Sequence, residues 1–181
     1  MDVINNGFSN PAKPLPLGVS FSDRVSIKQI DKRTAHLIYK HHHSYMDGGN
    51  PSSSAVHGVY LDDRLVGGIS YGYMLASEDI HGIPSDRYMS VSRVCIAIDM
   101  PNLASCAMAK SKDLFAEQTA QDEDIELLVT YVRQDYDGTM FDALDDWEYN
   151  GHIAKGHQAG NRPESEICDY DKRRYVCFLS E

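Results

Sequence analysis

Two apolar, β-branched runs, YMSVSRVCIAID at 88–99 and IELLVTYV at 125–132, constrain the fold of this chain most, because a helix-patterned segment lies between them. Pro101 ends the first run. In NLASCAMAKSKDLFAEQ, apolar residues then fall at Leu103, Ala104, Ala107, Met108, Leu114 and Phe115, the spacing of an amphipathic helix. Upstream, AVHGVYLDDRLVGGISYGYM alternates apolar and small residues on either side of Asp62-Asp63-Arg64, which predicts a hairpin. SIKQIDKRTAHLIYKHHH places Ile30, Ala35, Leu37, Ile38 and Tyr39 as a helix opening near Asp31 would. DGTMFDALDDWEY suits a short helix followed by Gly151, and RRYVCFLSE closes as a strand. The order helix, hairpin, strand, helix, strand, helix, strand predicts an α/β layer fold in which a mixed sheet is covered on both faces.

The 181 residues, 42 % hydrophobic, suffice for one core. Residues 1–25, with Pro11, Pro14, Pro16 and Asn5-Asn6, read as an irregular proline-rich arm, and 26–181 as a single domain. No stretch approaches the ~20 apolar residues of a membrane helix, and the N-terminus lacks a signal layout, so a soluble, cytoplasmic protein is expected. Cys95, Cys106, Cys168 and Cys177 show no CxxC spacing and are expected as buried thiols. The net charge of −10 disfavours nucleic acid at first sight. However, residues 121–150 hold ten acids against Arg133 alone, which leaves only −1 on the rest, so another face can still meet a polyanion.

Several residues carry candidate chemistry. Within His41-His42-His43, neighbours in a helix point about 100° apart, so the run cannot ligate one ion by itself. A histidine there could transfer a proton at a pocket rim, or simply cap a helix end. Asn102 and Ser105 stand where strand turns into helix, a natural seat for a phosphate. Arg93, a guanidinium within an apolar strand, must find a partner, and a structural carboxylate or a substrate anion would each serve. Asp135 at a strand end could orient a histidine or accept a proton, or could cap the next helix. Lys172-Arg173-Arg174 is a candidate phosphate-contact patch or a solubilising edge, and Trp147 and Tyr149 read as core.

These segments, namely HHHSY, HGVYLDDRLVGGISYG, SVSRVCI with PNLASCAMAK, DGTMFDALDDWEYNGH and KRRYVCFL, together resemble the Mom-type phage DNA-modification proteins of the GNAT-like acyltransferase superfamily, over roughly 30–181. The resemblance implies a GNAT-like, mostly antiparallel mixed sheet with helices on both faces. It implies addition of a carbamoylmethyl or acyl-type group to adenine N6 in DNA, protecting phage DNA from restriction. It marks His42 or His43, Arg93 and Asp135 as catalytic, with Arg93, Asn102 and Ser105 toward the donor. It implies an acetyl-CoA-related donor, allows an iron requirement, and assigns no metal ligands. Tyr45 and Tyr71 are expected to stack on an extruded base, with Lys172 and Arg173 also toward DNA. Two departures stand out: the glycine-rich pyrophosphate loop is absent, and Phe141 replaces an aromatic hydroxyl.

Two other function classes fit the residues. One is an N-acetyltransferase for a small amine or a protein. The other is a non-catalytic binder that uses the acidic 121–150 segment.

Overall fold

A computed structural model describes residues 20–42, 53–73, 78–136, 138–154 and 170–179. Seven strands form one sheet: β1 (Val25–Gln29), β2 (Ser53–Leu61), β3 (Arg64–Gly72), β4 (Tyr88–Ile96), β5 (Leu127–Arg133), β6 (Glu148–Ile153) and β7 (Lys172–Phe178). Their order across the sheet is β1-β2-β3-β4-β5-β7-β6. All neighbours run antiparallel except β4 and β5. Among the described residues, four helices accompany it: α1 (Phe21–Arg24), α2 (Lys32–His42), α3 (Leu103–Phe115), continued by a π-helical turn, and α4 (Thr139–Asp142).

Local chemistry explains the elements on one face. Asp31 caps the start of α2, its carboxylate accepting from the Thr34 amide at 2.9 Å and the Thr34 hydroxyl at 2.7 Å. One turn apart, Ala35 and the pair Ile38 and Tyr39 bury one side of α2 against Val56 and Cys95. The β2–β3 hairpin turns on Asp62 (φ 48°) and Asp63 (φ 62°), two left-handed residues whose turn matches the strand twist. Arg24 of α1 secures that turn, with Nε 2.8 Å from Asp62 Oδ1.

The opposite face is covered by α3, which buries Leu103, Ala107, Met108, Ser111 and Phe115. A polar contact fixes it in place. The Ser111 hydroxyl lies 2.8 Å from His57 Nδ1 on β2 and 2.7 Å from the Tyr71 hydroxyl on β3. Both partners are within 1 % of full burial, so these bonds replace water that the groups gave up. Tyr71 also stacks on Phe115, ring centres 4.5 Å apart. Farther along, the Lys110 ammonium donates to the carbonyls of Ser22 (2.7 Å) and Val25 (2.8 Å), tying α3 to the start of β1.

The α/β class and the covered, mostly antiparallel mixed sheet agree with the sequence reading. Its boundaries need correction in two places. The irregular arm expected through residue 25 ends sooner, since Ser20 and Asp23 form a capping box that starts α1, and Val25 opens β1 with 1 % exposure. The helix expected across DGTMFDALDDWEY shrinks to four residues, because the chain turns at Ala143 and pairs from Glu148 as β6. Gly151 (φ 108°) and a register break between Tyr149 and His152 hide that strand from a period-two pattern. Residues 1–19 and Cys168 lie outside the described residues. Cys95 and Cys177 are free and buried, with burial raising their pKa to about 11 and about 12, while free Cys106 is half-buried. Among the described residues, no helix is long and apolar enough to cross a membrane.

Burial depresses the His57 pKa from 6.5 to about 4. The unfolded chain therefore takes up a proton over a range in which the folded chain refuses it. His57 contributes stability fully above pH 6.5, and that contribution drains away as the pH falls to 4, up to about 3 kcal/mol. Urea unfolding at pH 7 and pH 4.5 should show a smaller pH penalty in His57→Gln than in the parent chain. Equal penalties in the two would refute a neutral, buried His57.

Candidate functional site

Parallel pairing of β4 and β5 covers three positions only: Tyr88 with Leu127, Met89 with Leu128 and Ser90 with Val129. Beyond these the two strands part. On its outer side β4 stays bonded to β3 through Ile96, and β5 stays bonded to β7 through Arg133. The Thr130 hydroxyl, donating to the Val91 carbonyl at 3.2 Å, closes the narrow end. Ala97 gives its N–H to Val66 on β3, so by alternation Val94 and Ile96 turn their backbone groups into the gap. Gln134 gives its N–H to Asp171 on the β7 side, so Arg133 and Tyr131 turn theirs in from the other rim. The result is a slot inside the sheet, edged by strand backbone.

A bulge at Ser92, where the β3–β4 register shifts, shapes the β4 rim. The Ser92 hydroxyl donates to the Ser70 carbonyl at 3.2 Å, and Arg93 Nη1 donates to the Ser92 carbonyl at 2.6 Å. Ser70, opposite Arg93, places its hydroxyl 2.5 Å from that of Tyr39 on α2. Tyr39 is 1 % exposed, and burial drives its pKa up, so its hydroxyl stays protonated. Arg93 is half-buried and electrostatically coupled to Tyr39. His42, three residues past Tyr39, shares its side of α2 and is half-buried. Desolvation, then the nearby His41, lowers the His42 pKa below 6.5 and keeps the ring neutral at pH 7.

Across the slot, Arg133 shares this face of the sheet with Tyr131. Both Asp135 oxygens accept from Arg133, at 3.0 Å from Nε and 2.6 Å from Nη2, and that hydrogen-bonded partner lowers the Asp135 pKa. Asp135 is therefore an ionised clamp on a guanidinium, and among the described residues it contacts neither a histidine nor the first turn of α4. Gly138 precedes α4 in a left-handed conformation (φ 78°), and the Tyr175 hydroxyl occupies the space any side chain there would need.

Asn102 and Ser105 sit at the opening of α3, after the chain leaves β4. Asn102 (φ 64°) makes no side-chain cap bond, Ser105 Oγ donates to the Asn102 carbonyl at 3.2 Å, and the first turn holds no acid. That leaves the positive end of a 13-residue helix without an internal carboxylate. Three other expectations meet obstacles. Tyr71 is wholly enclosed under α3, so it offers no face for base stacking. Lys172 and Arg173 cannot form one patch, since adjacent strand residues point to opposite faces. Lys172 pairs with Arg133 and shares its face, whereas Arg173 lines a shallow depression of about 270 Å³ with Asp142, Tyr149 and Tyr175 on the α3 side. His43 and Tyr45 lie outside the described residues, among which no group of three or more His, Cys, Asp or Glu is placed to hold a metal ion.

Sequence reading missed the residues that position Arg93. Ser70, Ser92 and Tyr39 look like ordinary strand and helix positions, and the one available signal was two serines flanking Val91 in an apolar run. Trp147 is core, as expected, but Tyr149 is 57 % exposed.

Solved structures of similar architecture include several acetyltransferases. The ribosomal-protein-S18-alanine N-acetyltransferase from Escherichia coli superposes with a TM-score of 0.57 at 8 % identity, covering 87 % of this chain and 95 % of its own. The acetyltransferase-type protein YncA from Salmonella typhimurium, solved with its cofactor acetyl-CoA, gives 0.58 at 13 % identity, with the same coverage of 87 % and 95 %. The ribosomal L7/L12 alpha-N-protein acetyltransferase RimL gives 0.55 at 9 % identity, covering 90 % and 98 %. These likenesses establish a GNAT-like fold. No curated protein matches the chain in sequence. The model of the Mom protein family matches residues 24–179, and family and fold together support an acyl-transfer type of function. With nearly the whole described chain inside that match, the protein belongs to the Mom protein family.

Proposed function

We propose that this protein transfers a carbamoylmethyl or acyl-type group from an acetyl-CoA-related donor to the N6 amine of adenine in DNA, and so shields phage DNA from restriction. The observation that carries the proposal is the slot between β4 and β5. Its rims present strand backbone that a ligand with amide groups of its own can match along the length, as the arm of acetyl-CoA can. The start of α3 near Asn102 and Ser105 suits the donor's phosphates, with helix amides taking the place of the missing glycine-rich loop. When bound, the donor supplies the activated group. That a similar structure was solved with acetyl-CoA favours this donor class.

Adenine N6 is a weak nucleophile because its lone pair is delocalised into the ring, so the protein must orient it and take a proton. His42, neutral at pH 7 and on the Arg93 face, is the group suited to accept that proton. Arg93, fixed through Ser92, Ser70 and Tyr39, is aimed to hold a carbonyl or anionic part of the donor. The target base reaches the slot by leaving a duplex stack or by arriving on a single strand.

One observation favours a second reading, N-acetylation of a protein or small amine: two of the similar structures are ribosomal-protein N-acetyltransferases. That activity would turn over acetyl-CoA without DNA.

Mass spectrometry of nucleosides from cells expressing the chain should show an adenosine heavier than normal, lost at least a hundredfold in Arg93→Ala while the variant still folds. Full modification by that variant would reject the assignment. The rate should also depend on pH as a base requires, flat around neutral pH and falling at lower pH as His42 protonates. A profile unaltered in His42→Gln would remove the histidine from the mechanism.

A further inference from the structure

At the far end of β5 the Arg133 guanidinium lies against the rings of two tyrosines. It lies 3.4 Å from the Tyr170 ring centre and 5.4 Å from that of Tyr136. Arg133 itself is 7 % exposed and is locked from the side by the two-pronged Asp135 contact. The two rings are not buried with it: Tyr170 is 38 % and Tyr136 42 % exposed. Large aromatic area is normally withdrawn from water, and here a buried guanidinium in contact with both rings holds it at the surface. Lys172, register partner of Arg133, adds a positive charge on the same face. That face is the one Arg93 occupies across the slot.

We propose that Tyr170, Arg133 and Tyr136 form a stacking platform for unpaired bases of single-stranded DNA, with Lys172 contacting the strand's phosphates. The proposal rests on the transfer reading above and names how that site grips its acceptor. Rings held in place by a guanidinium lose little freedom when a base stacks on them. A planar base and a backbone phosphate together match an aromatic face beside a cation, whereas a small amine would leave most of the ring area uncovered. The platform also accounts for an aspartate that neutralises Arg133 yet leaves its planar faces for stacking.

The test is fluorescence anisotropy with a labelled single-stranded deoxyadenosine oligonucleotide, and the same strand annealed to its complement, both without donor. The parent chain should bind the single strand more tightly than the duplex. Tyr170→Ala should weaken single-strand binding by about tenfold or more. Tyr170→Phe should retain it, because the ring and not the hydroxyl stacks. Tyr170→Leu, which keeps apolar bulk, should behave like Ala, and circular dichroism should show each variant folded. Undiminished binding by Tyr170→Ala, or no preference for single strand in the parent chain, would overturn the proposal. Binding is read without chemistry, so a chain that grips single strands but yields no modified adenosine would keep the platform and reject the transfer reading.

Discussion

Everything that makes this sheet more than a scaffold follows from the brevity of one pairing. After three positions β4 and β5 separate, and each stays tied on its outer side, so the opening does not collapse. A sheet interrupted in this way exposes backbone donors and acceptors that ordinarily satisfy one another, and leaving them unmet is costly. The gap therefore presents backbone groups that water or an extended, amide-bearing ligand can meet. The bulge at Ser92 starts the parting and also turns Arg93 toward the α2 face, so one irregularity opens the slot and equips its rim.

Polar contacts inside the core set where α3 begins relative to that slot. Ser111, His57 and Tyr71 fix the middle of the helix across β2 and β3, and Lys110 fixes it to β1. An apolar interface alone would permit sliding by a turn; directional bonds to buried groups do not. The acidic stretch at 121–150 has a comparable structural duty. Glu123 accepts from Tyr73, Asp124 and Glu126 meet Arg87, Asp135 meets Arg133, Asp142 accepts from Tyr175, and Asp146 lies 2.6 Å from Lys112. Carboxylates already engaged in this way are poorly placed to dock a basic partner, which weighs against a non-catalytic acidic binder.

The layered fold was legible because its signals are local and strong: alternation around Asp62-Asp63, a continuous apolar run at 125–132, and helical spacing from Leu103 to Phe115. β1 and β6 escaped because both are short edge strands, half exposed, and β6 is broken by a bulge. Arg93 stood out in the sequence, since a charge in an apolar strand requires a reason. The network around it did not, because Tyr39, Ser70 and Ser92 meet only when α2 lies on the sheet. Asp135 was singled out for its position at a strand end, but its partner two residues back determines its state. Tyr136 and Tyr170 went unnoticed, since exposure of an aromatic ring leaves no trace in local sequence.

The most direct test of the slot is to titrate isotope-labelled protein with acetyl-CoA and follow backbone amide shifts by NMR. The account predicts the largest shifts along both rims, at Ser92 to Ile96 and Tyr131 to Arg133, and at Leu103 to Ser105 at the opening of α3. Absence of shifts, or shifts confined to the depression beside Tyr149 and Arg173 on the opposite face, would contradict it.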